Sequence, residues 1–259
     1  MGACALLSMS AGNDAHLHGG SAGRSDCHPL RLPLSIITMA TKIPKMKLWY
    51  HHTSRSIRCT WAIKELGLED HVEHKFVDIE ASPPPPEREQ FHKTVNPHNT
   101  VPALEIEGRP TMLESTAICL YLADLCGRLA PEPKDRAEYY DWTLYGAIRL
   151  DEALERLAWQ WWLGPKDKQD PEAIAKAKAV VDVCLDRMEN ILKDKPYILG
   201  QELTVADCIL GFNIWWAAFP EMNNGSLLEG YPNVKAYLER VKARPALKAT
   251  LDMAKASSN

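Results

Sequence analysis

The chain has 259 residues, 46% of them hydrophobic and 25% charged, with a formal net charge of -4. That length suits one large or two ordinary domains with a real core, and the negative balance argues against general affinity for nucleic-acid phosphates, which needs a concentrated positive surface. Seven cysteines (Cys4, Cys27, Cys59, Cys119, Cys126, Cys184, Cys208) are odd in number and scattered, with no CxxC pair or zinc spacing, so neither a disulfide scaffold nor a metal is expected and a reducing, cytoplasmic compartment is the default.

Residues 1–45 stand apart. They are rich in Ser, Gly, Ala and His, carry only Asp14 and Asp26 as acids, and lack sustained periodicity, while Met39 and Met46 both offer further starts. The stretch reads as a disordered extension, an upstream start, or an organelle-targeting leader in which Arg and Ser outweigh acids. Residues 30–37 are too short and proline-broken for a signal-peptide core.

From Lys47 the pattern sharpens. Residues 47–51 form a strand-like run, and residues 54–66 follow with helical spacing at Ile57, Trp61, Ile63 and Leu66, stopped by Gly67. Residues 72–79 alternate and end at the prolines 83–86, which force a loop. A short irregular helix is expected over 87–95, before Asn96-Pro97. Residues 102–107, a turn at Gly108 and residues 110–113 give a hairpin signal, and 115–126 a helix with Ile118, Leu120, Leu122 and Leu125 as apolar positions. The order β-α-β-α-β-β-α belongs to a compact α/β domain.

Beyond a linker at 127–133 strand signals vanish. Residues 134–163, 171–193, 204–219, 232–241 and 245–253 all read as helices. Thr204-Val-Ala-Asp207 matches a capping box with Asp in the fourth place, and Pro232 and Pro245 sit where first-turn prolines belong. The longest apolar candidate, 205–219, carries Asp207 and Asn213 and falls short of the roughly 20 residues a membrane span needs. The domains expected are thus an extension at 1–45, an α/β domain at 46–127 and an all-helical domain at 134–255.

Several segments then line up: Tyr50-His-His-Thr-Ser-Arg-Ser-Ile-Arg58, Asn96-Pro-His-Asn-Thr-Val-Pro-Ala-Leu104, Leu113-Glu-Ser-Thr-Ala-Ile118, Thr204-Val-Ala-Asp207 and Val241-Lys-Ala-Arg-Pro-Ala-Leu247. Together they resemble the cytosolic glutathione transferase superfamily over about four fifths of the chain, closest to fungal and bacterial enzymes with a Ser-Arg-Ser opening and more distantly to the theta, delta and zeta enzymes. The resemblance implies a thioredoxin-like α/β domain followed by an all-α helical-bundle domain, as the element order does. It also implies a homodimer and a role for each segment.

In the family the proline of Val101-Pro102 is cis, and the amide and carbonyl of Val101 pair with the cysteinyl part of glutathione as an added strand. Glu114-Ser115 opens a helix whose first amides and positive dipole end suit the γ-glutamyl carboxylate, with Glu114 accepting from the ammonium. Ser115 is equally an ordinary N-cap, and the two roles are compatible. Delta-type relatives place a histidine for the glycine carboxylate directly before their Thr-Ile-Pro; here Asn99 stands there and His98 precedes it, with Lys93 near. Either donates, or His98 is a solvated loop histidine.

Catalysis needs glutathione as thiolate, although a free thiol titrates near 8.5. A hydroxyl at a helix N-terminus stabilises the anion by hydrogen bond and dipole. Thr53, Ser54 and Ser56 are the candidates. Thr53 takes the place of the zeta catalytic serine, Ser54 is the first serine of Ser-Arg-Ser and is preferred, and Arg55 adds positive potential. At least one of the three caps the helix. Tyr50 lies too early and reads as packing, and Cys59 sits one turn too deep for a nucleophile.

Tyr139, Trp142, Tyr145 and Ile148 recur every three residues, either as a surface for hydrophobic electrophiles or as core and dimer interface. The function implied is conjugation of glutathione, a cosubstrate with no further cofactor, to small hydrophobic electrophiles in detoxification. Glutathione-dependent isomerisation or peroxide reduction uses the same thiolate, and a non-catalytic assembly module is the reading from another class.

Overall fold

The computed structural model describes residues 43–256, apart from the side chains of 224–226 and 254–256. The readings placed on residues 1–42 lie outside them.

A three-stranded sheet of order β2-β1-β3 anchors the first half. β1 (Met46–Tyr50) is central and buries Met46 and Leu48. β2 (Val72–Phe76) runs parallel to it, from Met46 opposite Val72 to Tyr50 opposite Phe76. β3 (Ala103–Ile106) runs antiparallel on the other side, from Met46 opposite Ile106 to Trp49 opposite Ala103. A parallel pair needs a crossover, and α1 (Ser56–Leu66) supplies it. Gly67 ends that helix at φ 69°, in the left-handed region where glycine meets no Cβ penalty.

Three local expectations shift. β2 stops at Phe76 because the chain turns at Asp78, whose carboxylate accepts from the amides of Glu80 (3.1 Å) and Ala81 (2.9 Å). α2 (Pro86–Thr94) starts one residue earlier than the pattern suggests, Pro86 filling a first-turn position where no N–H is missed. The second arm of the hairpin shrinks to one antiparallel bridge, Leu104 with Met112, held by bonds of 2.8 and 2.9 Å. Pro110 has no N–H with which to lengthen that ladder. α3 (Ser115–Cys126) then returns across the sheet beside α1.

In the helical half the single helix expected over 134–163 is a continuous run with two wider turns. α4 (Arg136–Tyr145) and α5 (Asp151–Ala158) are joined by a π-type segment at Gly146–Leu150, and another closes the run at Trp159–Leu163. The first lies where α7 (Val205–Ala217) comes closest: a Cβ on Gly146 would sit 2.9 Å from the Leu210 side chain, and the Gly146 carbonyl accepts from Asn213 Nδ2 at 2.8 Å. α6 (Pro171–Leu192) is capped by Asp170, which accepts from the amides of Glu172 and Ala173. α8 (Pro232–Lys242) and α9 (Pro245–Ala256) follow, each opening on proline.

α7 is the central helix of the whole, buried along nearly its full length and packed on α1, α3, α4 and α8. The aromatic repeat is divided by this packing: Tyr139 and Trp142 are core, whereas Ile148 is 56% exposed. Among the described residues no helix is long and apolar enough to cross a membrane.

Candidate active site

The antiparallel register makes the C-terminal end of β1 and the N-terminal end of β3 leave the sheet on one edge, just past the Trp49–Ala103 pair. His51 to Ser56 and Asn96 to Pro102 therefore emerge together. α3 begins nearby, tied to the first turn of α1 by the bond from Arg58 Nη1 to Ser115 Oγ (3.3 Å).

The three hydroxyls of the first loop are in different situations. Ser54 Oγ lies 2.9 Å from the His51 carbonyl and 2.8 Å from Ser56 Oγ, and it accepts from the Ser56 amide at 3.1 Å. One proton serves one bond. Ser54 donates to the His51 carbonyl, which only accepts, so Ser56 donates to Ser54. Ser56, buried, in turn accepts from the His51 amide at 3.3 Å. This closed ring holds the start of α1. Thr53 stands outside it, exposed, with its oxygen 2.9 Å from His51 Nδ1 and 2.9 Å from Glu80 Oε1.

Arg55 turns toward the helical half. Its Nε meets Asp151 Oδ2 at 2.5 Å, its Nη2 meets Glu155 Oε2 at 2.6 Å, and its guanidinium lies 5.7 Å from the centre of the Trp216 ring. Its charge is thereby paired across to α5.

The second loop is shaped by Asn96, fully buried. Its Nδ2 donates to the Thr100 carbonyl (2.7 Å) and its Oδ1 accepts from the His98 amide (2.9 Å). His98 is exposed. Asn99 adopts φ 54°, and with its amide turned to satisfy both ends its oxygen accepts from Arg88 Nε and Nη2 at 3.1 Å each. The Asn99 NH2 is then aimed away from Arg88. Val101-Pro102 is a cis peptide. The amide and carbonyl of Val101 find no hydrogen-bond partner among the described residues, although the side chain packs in a small apolar cluster with Val77, Phe91 and Ala103.

At α3 the N-cap is Glu114, in extended conformation and exposed, and Ser115 is the first helical residue, not the cap. Beneath it lies a cluster that no sequence pattern announced. Arg58, 1% exposed, reaches Ser115 Oγ, Asp151 Oδ1 (2.6 Å) and Asn213 Oδ1, and lies over Phe212. Since Arg58 donates to Ser115, the serine hydroxyl keeps its own proton to donate. Asp151 thus joins two arginines of the first half, and Arg58 and Asn213 are 155 residues apart. Only the folded chain brings them together.

The thiols near the site are inert in character. Burial pushes Cys59 well above its ordinary value, and the same holds for Cys208. Cys59 donates to the Ser115 carbonyl at 3.6 Å and is fully buried.

An edge with a free main-chain pair, a helix N-terminus and a hydroxyl loop, set on a small mixed sheet with a helical domain behind it, is the architecture of the thioredoxin-like glutathione-dependent proteins. Residues 54–125 match the family described as glutathione S-transferase, N-terminal domain, and residues 171–240 match glutathione S-transferase, C-terminal domain. The chain belongs to the glutathione S-transferase family.

Among similar proteins, the glutathione S-transferase GstA of Escherichia coli O157:H7 is 27% identical over 80% of this chain and 97% of its own length. A glutathione S-transferase of Hyoscyamus muticus is 30% identical over 59% of this chain and 74% of its own. The structure of a sphingomonad glutathione S-transferase complexed with glutathione is 27% identical, with a TM-score of 0.66, covering 81% of this chain and 98% of that one.

Proposed function

We infer that this chain is a glutathione transferase that holds glutathione along the edge described above and adds its sulfur to small hydrophobic electrophiles, in the manner of detoxification enzymes. The observation that carries this reading is the unpartnered main chain of Val101, in the loop that leaves the same sheet edge as the hydroxyl loop. An extended peptide placed there gains two backbone bonds, and its γ-glutamyl carboxylate reaches the α3 amides and the Ser115 hydroxyl. Glu114, exposed at the cap, accepts from the ammonium. His98 and the free NH2 of Asn99 face the glycine carboxylate.

Of the three hydroxyls we assign the thiolate contact to Thr53, since it is exposed and stands outside the closed ring that Ser54 and Ser56 form with the His51 backbone. Thr53 donates to the sulfur; no bond to Thr53 forms, and the thiol proton leaves to water. The thiolate then attacks an electrophilic carbon or displaces a leaving group. For the electrophile the aromatic end of α7 offers a surface: Trp216 lies under Arg55, and Phe219 packs edge-on against Trp215 and near Trp162. Residues 46–127 act as the glutathione-binding domain and 134–255 as the helical domain, in a cytoplasmic homodimer.

Retention on immobilised glutathione, together with turnover of a chlorinated nitrobenzene, tests the assignment. Binding and turnover are expected; a folded protein with no measurable affinity for glutathione would overturn it.

A further inference from the structure

The oxygen of Thr53 is 2.9 Å from both His51 Nδ1 and Glu80 Oε1. A hydroxyl has one proton, and an ionised carboxylate only accepts. Thr53 therefore donates to Glu80. On its other side His51 Nδ1 accepts from the Thr53 amide at 3.4 Å and lies against the Thr53 oxygen, so the imidazole holds both the backbone and the side chain of that residue in place.

The imidazole is firmly placed. It is 2% exposed, stacked on His52 at 4.4 Å, with Phe76 5.3 Å away. Burial, and secondarily His52, pulls its pKa below the ordinary histidine value, so it is neutral at neutral pH. The Glu80 side chain is 67% exposed, but its backbone is anchored by the bond to Asp78.

We propose that Glu80 and the glutathione sulfur compete for the single proton of Thr53, and that His51 is the positioning residue that holds the Thr53 oxygen for that exchange. The proposal rests on the assignment of Thr53 made above. The amide bond and the contact with the ring nitrogen together fix where the Thr53 hydroxyl sits relative to an incoming sulfur. Glu80 works against the thiolate twice, by taking the proton and by adding negative charge close to the sulfur. Among the described residues Glu80 is the charged group in hydrogen-bond contact with the Thr53 hydroxyl. Asp78 holds the Glu80 and Ala81 amides, His52 stacks on His51, Arg55 is paired with Asp151 and Glu155, and Thr250 and Met253 of α9 line the cavity beside His51 and His52. The device sets how much thiolate the enzyme holds at a given pH.

The test is a titration of bound glutathione by thiolate ultraviolet absorbance, with the glutathione Kd measured in parallel. The variants are Glu80→Ala, His51→Ala, His51→Asn and Thr53→Ala. Glu80→Ala should lower the thiol pKa by about half a unit, which raises kcat/KM roughly threefold below that pKa and leaves it unchanged above. His51→Ala should raise the thiol pKa, and His51→Asn, whose side-chain oxygen can accept from the Thr53 amide where Nδ1 did, should restore it. A Glu80→Ala protein that binds glutathione normally with an unchanged thiol pKa overturns the proposal. Glu80 is exposed, so this arm stands even if His51→Ala fails to fold. If wild type binds glutathione but Thr53→Ala titrates identically, the assignment of Thr53 has failed instead, and the competition with it; if wild type does not bind at all, the transferase reading has failed.

Discussion

Three hydroxyls within four residues separate cleanly once their protons are counted. Ser54 satisfies the Ser56 amide and the His51 carbonyl, so it holds the turn that leads into α1. Ser54→Ala should cost about 1 kcal/mol of stability while leaving the thiol titration of bound glutathione near that of wild type. Thr53→Ala should do the reverse, raising the thiol pKa with little change in melting temperature. Thermal unfolding paired with thiolate absorbance reads both, and a Ser54→Ala protein that loses its thiolate would return the catalytic role to that serine.

Asp207 is a second residue whose chemistry is set by its surroundings. Its buried carboxylate accepts from the Ile198 amide (2.9 Å), the Thr204 amide (2.9 Å) and hydroxyl (3.1 Å), and the Tyr237 hydroxyl (3.2 Å). Burial nonetheless pushes it up to about 6. A folded-state pKa above the unfolded one means the native state binds the proton more tightly. The associated stability is therefore full below about pH 4 and is lost as pH rises through about 6. The stability margin of wild type over Asp207→Asn should accordingly shrink by roughly 2–3 kcal/mol across that window. Urea unfolding at the two ends measures it; a margin that widens with pH would mean the four donors outweigh burial.

Between elements, Asp151 is the joint. It lies on α5 of the helical half and accepts from Arg55 and from Arg58 of the sheet half, so α1 and α5 are fastened through one carboxylate. Removing one partner of a buried pair strands the other without compensation, at roughly 3–5 kcal/mol. Asp151→Ala should therefore lower stability by that order. It should also weaken glutathione binding, because Arg58 holds Ser115 at the start of α3. Denaturant unfolding and glutathione calorimetry check the two effects separately. Loss of stability with intact affinity would detach the cluster from the binding edge.

For the molecule as a whole, the outer face of the first long helical run and of α6 carries Leu144, Ile148, Val180 and Val183, all exposed, with Val183 at 62%. The clefts along this face place Ile148 near Val180, and Tyr145 near Val183. We propose that a second copy of the chain covers this grouped apolar face. Ile148→Lys with Val183→Lys should convert the protein from dimer to monomer in analytical ultracentrifugation. A wild type that sediments as a monomer removes this assignment and leaves the binding edge untouched.

What the amino-acid order determined by itself were the features written in neighbouring residues. Gly67 and Gly127 stop their helices, Pro232 and Pro245 open theirs, Thr204 and Asp207 make a cap, and the Val101-Pro102 and Glu114-Ser115 pairs carry the family resemblance. Each depends on φ, a missing N–H or a partner within three residues, so short-range pattern suffices. Tertiary structure alone decided which groups share a proton or a charge. Glu80 meets Thr53 across 27 residues, Asp151 meets Arg58 across 93, and Arg55, expected near the sulfur, is drawn to α5 by two carboxylates. Hydrogen bonds and ion pairs act over about 3–4 Å whatever the sequence separation. Their partners are therefore chosen by packing, and packing is a property of the folded chain.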